Sequence, residues 1–190
     1  VAFTLQRSYL RNIDAALVQK GFESVSLAAG LAVDLNDRRG ASYGWGYLGN
    51  FYESEARLEE ALELTGRAIF AAQQVHAPES LYKWQWQAGR ILTALGRHED
   101  SLSSYRRAIT TLHSIRPEFL QSYGNSGVSF RETVGPLYFQ TSDLLLKNAE
   151  SSREAQANKA YLTEAREIIE SFKVAELRDY FRDDCVDTAL

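Results

Sequence analysis

The fold is decided by the stretch WGYLGNFYESEARLEEALELTGRAI at residues 45–69. The same arrangement of small and large residues returns 40 positions later in the chain. A weaker copy lies upstream, where Gly21 and Val33 stand 35 positions before Ala56 and Ala68. A fixed spacing of this kind is typical of an array of structural repeats. The small residues that recur at the 40-residue spacing form three pairs: Gly49 and Gly89, Ala61 and Ser101, Ala68 and Ala108.

The composition around these copies favours helices. Ala, Leu, Glu, Gln and Arg fill the chain, which contains only three prolines, and the apolar–polar alternation of strands is hard to find. We therefore expect an all-α chain of antiparallel helix pairs. The predicted helices are 4–19, 23–35, 41–53, 57–76, 79–95, 99–115, 131–148 and 155–182. The predicted breaks lie at Lys20-Gly21, 36–40, Ala77-Pro78, Gly96-Arg97, Arg116-Pro117 and 124–127.

The charge balance argues against partners of strongly negative charge. The chain has 190 residues, with 21 basic and 25 acidic side chains. Ten of the acidic and six of the basic residues lie in 149–190, so the first 148 residues carry fifteen of each. Neutralising phosphates or an anionic lipid surface requires an excess of Lys and Arg. We therefore expect neither nucleic acid nor a membrane among the partners.

The cysteine content and the absence of targeting signals favour a cytoplasmic protein. Cys185 is the only cysteine, which excludes an internal disulfide and a Cys-rich zinc site. The sequence has no apolar run of about 18 residues that could cross a bilayer, and its first residues lack the pattern of a signal peptide. We expect no metal and no cofactor. Because the chain contains no Met, we also expect it to be a piece of a longer protein.

Several motifs look like catalytic signatures, but helix packing explains them more simply. Gly44-Trp45-Gly46-Tyr47-Leu48-Gly49 fits the dinucleotide-binding pattern, yet no strand signal precedes it and its aromatic side chains would crowd a pyrophosphate. His76, His98 and His113 lack the paired spacing of metal ligands, so we expect them near helix ends or on polar faces, at the surface or as C-terminal caps. No base or elbow signature accompanies the serines at 101–104. The sequence therefore predicts that the chain is not an enzyme.

The spacing of small residues resembles the tetratricopeptide repeat, a helix–turn–helix unit of about 34 residues. The three small pairs fall at the positions where that repeat has small residues, the eighth, twentieth and twenty-seventh. The spacing here is longer, and Thr65 stands where an aromatic residue is usual; we expect the helix at 57–76 to absorb the extra residues. The resemblance implies an α–α superhelix of about eight helices. Its three repeats would occupy 1–36, 41–76 and 79–115, within a domain of residues 1–116.

The resemblance also implies a concave groove lined by the first helix of each repeat. Asn50 and Lys83 are residue types that clamp a peptide carboxylate in such grooves, whereas Gln87 departs from the full clamp. The alternative is that the side chains at groove positions are ordinary solvated or packing residues. The candidate groove residues are Arg11, Asn12, Tyr43, Tyr47, Asn50, Lys83, Trp86, Gln87 and Arg90.

The residues after 116 are expected to differ from the repeats. An irregular connection at 117–130 leads to a degenerate helix pair in 131–190. The run EAREIIESFKVAELRDYFRDDC at 164–185 resembles the helix that precedes the CHAT domain, a caspase-like peptidase module, in bacterial tetratricopeptide proteins. This resemblance implies a downstream domain that the chain lacks. Leu177, Tyr180 and Phe181 would then be exposed or covered by another copy, so we expect weak self-association through this helix.

Together these features predict a non-catalytic scaffold segment that binds a protein or peptide in a groove. Tyr and Trp side chains would supply apolar contact area, while Asn50, Lys83 and Arg90 would hydrogen-bond the peptide backbone or an acidic group. The segment would be the regulatory region of a larger CHAT peptidase-like protein. Two alternatives stay open: an array that only packs on its own downstream domain, and an enzyme whose site the sequence hides. A groove plugged by residues 117–135 would favour the architectural alternative.

Overall fold

The computed structural model describes residues 15–115 and 130–181, and the side chains of 17–115 and 130–177. All regular structure in these residues is α-helical, without a strand, which confirms the all-α prediction. Neighbouring helices pack in adjacent pairs. The seven helices of the described residues are α1 (Ala15–Asp34), α2 (Arg38–Ser54), α3 (Leu58–Gln74), α4 (Pro78–Ala94), α5 (His98–Ser114), α6 (Phe130–Ser151) and α7 (Ala155–Phe181).

The chain divides into two compact units, residues 1–80 and 81–190. The first unit contains α1, α2, α3 and the first residues of α4. The second contains the rest of α4 together with α5, α6 and α7. Each unit has its own packing and is described by itself.

Four successive helices end 20 residues apart and in the same way. After each of them the N–H of the third residue beyond the helix bonds a carbonyl five residues earlier, as Arg57 N bonds Tyr52 O at 3.0 Å. This is the Schellman motif, which needs a left-handed residue just before that donor. A helix plus its turn therefore takes 20 residues. The left-handed residues are Asn36 (φ 54°), Ala56 (φ 59°), His76 (φ 48°) and Gly96 (φ 74°).

Each helix of a pair, together with the turn that follows it, takes half of the 40-residue spacing. Each of the four helices from α2 to α5 has 17 residues. The expectation that the helix at 57–76 absorbs the extra residues is therefore wrong. That helix ends at Gln74, because the chain turns at the left-handed His76.

The predicted break at Lys20-Gly21 is also wrong, because α1 continues through both residues. A Cβ at Gly21 would lie 3.3 Å from the ring of Phe51 on α2. Gly21 therefore makes room for an aromatic ring inside a continuous helix. Residues 4–14 of the first predicted helix lie outside the described residues.

The connection before α2 is shorter than the predicted break at 36–40. The Asp37 side chain accepts a hydrogen bond from the backbone N–H of Gly40 at 2.9 Å. This N-cap starts α2 at Arg38, three residues earlier than predicted. The predicted boundaries of α4 to α7 agree with the structure to within three residues. The breaks predicted at Arg116-Pro117 and 124–127 lie outside the described residues.

Small residues bring the helices of the first unit close together. Ala61 and Ala68 on α3 are fully buried. A Cβ at Gly44 would lie only 2.7 Å from Ala29 Cα, so α1 and α2 approach closely because glycine stands there. Ser42 Oγ donates a hydrogen bond to Ala68 O at 3.0 Å, which links α2 to α3.

The second unit is built around an aromatic and aliphatic core. At the contact of α4 with α5, a Cβ at Gly89 would lie 2.4 Å from the Tyr105 ring, and Ser101 Oγ donates to Gly89 O at 2.8 Å. Phe130 on α6 stacks on Phe172 on α7, with ring centroids 6.1 Å apart. The largest fully buried side chains of this core include Tyr82, Leu102, Leu112, Leu137, Tyr138 and Leu145.

Near the end of α7, one of the three apolar side chains that were expected to be exposed is described. Leu177 is 55% exposed. The side chains of Tyr180 and Phe181 lie outside the described residues. Self-association through this helix therefore stays a prediction.

Candidate binding surface

The predicted groove residues belong to both units. Arg11 and Asn12 lie outside the described residues. The remaining candidates are Tyr43, Tyr47 and Asn50 on α2 in the first unit, and Lys83, Trp86, Gln87 and Arg90 on α4 in the second.

On α2, Tyr43, Tyr47 and Asn50 form one surface, which we call the α2 stripe. Their spacing of four and then three residues places them on the same side of the helix. The two tyrosine rings stack, with centroids 6.2 Å apart and planes inclined by 26°. Tyr47 is 46% exposed, Asn50 is exposed and Tyr43 is half-buried. The stripe therefore presents an aromatic surface and a carboxamide to solvent.

The other side of α2 explains why this stripe faces outward. Small side chains on that side let α2 lie close to α1 and α3. The letters of the dinucleotide-binding pattern belong to this packing, since they lie inside a helix and not between a strand and a helix. The buried residues of α2 are Ala41, Ser42, Gly44, Gly46 and Gly49.

A charged pair stands beside the α2 stripe. Arg39, one turn before Tyr43, forms an ion pair with Glu79. Burial raises the pKa of the Tyr43 phenol, and the Glu79 carboxylate raises this pKa further. The phenol therefore stays protonated at neutral pH and can donate a hydrogen bond.

On α4, two of the predicted groove side chains are engaged inside the second unit. Trp86 Nε1 donates a hydrogen bond to Gln140 Oε1 on α6 at 2.7 Å. The Arg90 guanidinium carbon lies 5.5 Å from the centroid of the Trp86 ring, a cation–π contact. Gln87 is only 1% exposed, whereas Lys83 and Arg90 are partly exposed. Trp86 is thus tied to α6, and Gln87 does not reach the surface.

The histidines lie near helix ends, as the sequence predicts. His76 forms the left-handed turn after α3, His98 begins α5, and His113 is in the last turn of α5. His113 Nε2 also lies 2.9 Å from the hydroxyl of the buried Tyr138, a contact with no sequence signal. Among the described residues, no group of three or more His, Cys, Asp or Glu could hold a metal ion.

The acidic residues at the start of α3 act as ion-pair partners. Arg57 Nε donates to Glu60 Oε2 at 2.7 Å, and this hydrogen bond holds the pKa of Glu60 below its ordinary value. Glu63 pairs with Arg67 one turn later at 2.6 Å.

Sequence reasoning missed the polar contacts that join α7 to α5. Arg106 Nε and Nη2 donate to the two carboxylate oxygens of Glu164 at 2.6 and 2.7 Å. Tyr161 OH donates to Glu99 Oε1 at 3.0 Å. The partners are about 60 residues apart in sequence, and only the tertiary fold brings them together.

No family model matches the chain, and no curated protein matches it. Within 15–115 and 130–181, no helix is long and apolar enough to cross a membrane. The function is therefore inferred from the geometry of the chain itself.

Proposed function

We propose that the chain is a non-catalytic protein-interaction segment whose α2 stripe contacts a peptide or partner protein. The observation that carries this proposal is the stacked pair of Tyr43 and Tyr47, with Tyr47 46% exposed and the exposed Asn50 one turn further on. Aromatic side chains supply much of the binding energy at protein interfaces. A carboxamide beside them can pair with both the N–H and the C=O of a peptide backbone.

The arrangement of the stripe suits a ligand that lies along the helix. Each Tyr side chain has only two rotatable bonds, so it offers contact area at a small cost in conformational entropy. Tyr43 supports the exposed Tyr47 ring through stacking and is itself held by partial burial. A surface preformed on a helix lowers the ordering cost that binding must overcome.

The wider proposal concerns the class of protein. We propose a tetratricopeptide-like array in which Lys83 and Arg90 of the second unit contact a ligand, and in which Arg11 and Asn12 contribute from the N-terminal region. The 20-residue period of the turns and the buried small residues at the repeat positions support an array. The resemblance at 164–185 supports a cytoplasmic, bacterial regulatory segment that precedes a CHAT peptidase domain.

An architectural role is the second candidate. In that case the array would pack on its own downstream domain and bind no other partner. The hydrogen bond from Trp86 to Gln140 favours this role, because it engages a predicted groove side chain within the second unit. The exposed Leu177 near the end of α7 also fits a surface covered by a further domain.

A selection of peptides from a random phage-displayed library on the full chain tests the proposal. Selected peptides should bind the purified chain in solution, and Tyr47→Ala should weaken that binding by about tenfold, which corresponds to 1.4 kcal/mol. Phe70→Ala is the matched control, since Phe70 is a 59% exposed aromatic residue on α3 outside the stripe.

The control should bind within about twofold of the unchanged chain, because truncating a side chain outside an interface leaves the affinity nearly unaffected. Equal weakening by both variants would contradict the assignment to the α2 stripe. Failure to select any peptide that binds in solution would instead favour the architectural candidate.

A further inference from the structure

A second polar site lies on the surface of α4 and α5 in the second unit. It is an open pocket of about 310 Å³. Its described lining contains two guanidinium groups, three hydroxyls and one carboxamide, and no acidic side chain. The lining residues are Gln85, Ser103, Arg106, Arg107, Thr110 and Thr111.

Gln85 places an amide hydrogen-bond donor at this pocket. The residue is only 4% exposed. Its Oε1 accepts a hydrogen bond from Thr111 Oγ1 at 2.8 Å, which fixes the carboxamide. Among the described residues, its Nε2 has no acceptor. Ser142 Oγ is the only fully buried side-chain polar atom without a partner among the described residues, so Gln85 Nε2 reaches the open pocket and can donate to a ligand oxygen there.

Arg107 brings a positive charge without a carboxylate partner in the described part of the chain. Its Nη1 and Nη2 donate instead to Ser103 Oγ at 3.2 Å and Ser104 Oγ at 3.1 Å. Ser104 is itself held by a hydrogen bond to Asp100 O at 3.0 Å. The guanidinium has five N–H donors, so most of them stay available after the two serine contacts.

Arg106 lines the pocket but adds little net charge to it. Both of its donated bonds from Nε and Nη2 go to Glu164 on α7, which neutralises its charge. The uncompensated charge at the pocket is therefore that of Arg107. The Glu164 carboxylate faces Arg106, so it would repel an anion that moved past Arg107 toward α7.

We propose that this pocket binds a phosphate group. Phosphate offers several acceptor oxygens in different directions, which suits donors that converge from two helices, Arg107 on α5 and Gln85 on α4. The site shares no residue with the α2 stripe and does not depend on the function proposed for it. The phosphate is carried either by a free phosphorylated small molecule or by a phosphorylated side chain of a partner.

Side-chain NMR of the full chain tests this site with inorganic phosphate as the probe. Titration should shift the Gln85 Nε2–H₂ and Arg107 Nε–H signals in a saturable way. Arg107→Gln should weaken phosphate binding by about tenfold, because charge-assisted hydrogen bonds contribute most at such a site. Arg67→Gln removes another exposed guanidinium, from α3, and should leave the affinity unchanged.

Gln85→Glu provides an independent variant. It keeps an acceptor for Thr111 but replaces the amide donor with a negative charge, so it should abolish binding while circular dichroism stays helical. If that variant unfolds, the Arg107→Gln result decides alone.

Two further probes distinguish the phosphate source and the specificity. A short phosphoserine peptide that binds about tenfold more tightly than inorganic phosphate would identify a phosphorylated side chain as the source, whereas equal affinities would identify a free phosphate. Either result supports the site. The proposal is overturned if acetate at equal ionic strength shifts the same signals equally, if saturation is absent, or if Arg107→Gln binds as well as the unchanged chain.

Discussion

Two glycines with open space around them allow the effect of backbone conformation on stability to be measured without a change in packing. Gly66 lies inside α3, and Gly96 lies in the turn after α4 with φ 74°. A Cβ added at either position would meet no atom within 4 Å. Any difference between Gly66→Ala and Gly96→Ala therefore comes from the backbone.

The two substitutions should change stability in opposite directions. Gly66→Ala should raise the free energy of unfolding by about 0.5–1 kcal/mol, since Ala favours an exposed helix interior over Gly. Gly96→Ala should lower it by about 1 kcal/mol, because a left-handed conformation costs an L-residue about 1–2 kcal/mol and reduced unfolded-state entropy offsets only part of this cost.

The reciprocal changes complete the test. Ala56 has φ 59° in the equivalent turn after α2, so Ala56→Gly should stabilise the chain by about 0.5–1 kcal/mol. Ala94→Gly, at the exposed last residue of α4, should destabilise it by about 0.5 kcal/mol.

Urea unfolding monitored by circular dichroism measures these differences. A change of 1 kcal/mol should move the melting temperature by about 2–4 °C for a chain of this size. The slope of free energy against urea concentration should stay constant, because none of the changes alters the buried surface appreciably. If Gly96→Ala stabilises the chain as Gly66→Ala does, the description of the turns is refuted.

Two other predictions follow from the packing and the α2 stripe. Ala68→Leu and Ala108→Leu should each lower the free energy of unfolding by about 1–3 kcal/mol, since both alanines are fully buried between helices. Glu63→Gln, at an exposed position, should change it by less than about 0.5 kcal/mol. Equal melting temperatures for the two kinds of variant would refute the repeat register. The pKa of Tyr43 is raised in the folded chain, so its contribution to stability is fully present below its unfolded pKa and is lost as pH rises through its folded pKa. In unfolding measured from neutral to alkaline pH, Tyr43→Phe should lose less stability at alkaline pH than the unchanged chain. An unchanged pH profile would refute the raised pKa of Tyr43.

The repeat was predictable from sequence because its small residues are recognisable. Ala61, Ala68 and Ala108 pack helices together, and their 40-residue register needs no tertiary information. The shorter period of 20 residues, one helix plus its turn, was not predictable, because the four left-handed turn positions hold different residues. Gly96 signals such a turn, whereas Ala56 is a residue that ordinarily favours a helix.

The candidate surface was predictable only where it depends on a single helix. The α2 stripe follows from the spacing of its residues along α2. The environment of Trp86 does not, since its partner Gln140 is 54 residues away in sequence. The burial of Gln87 and the pairing of Arg106 with Glu164 likewise depend on which helix faces which, and local spacing carries no information about that.

Chemical-shift mapping of a selected peptide on the isotope-labelled full chain shows which surface the peptide contacts. If the α2 stripe binds the peptide, the side-chain signals of Tyr43, Tyr47 and Asn50 should change most and should saturate together with a single affinity. Signals of Phe70 and other exposed residues of α3 should stay in place. A bound peptide that leaves the signals of the α2 stripe unchanged and shifts those of another surface would contradict binding at the stripe.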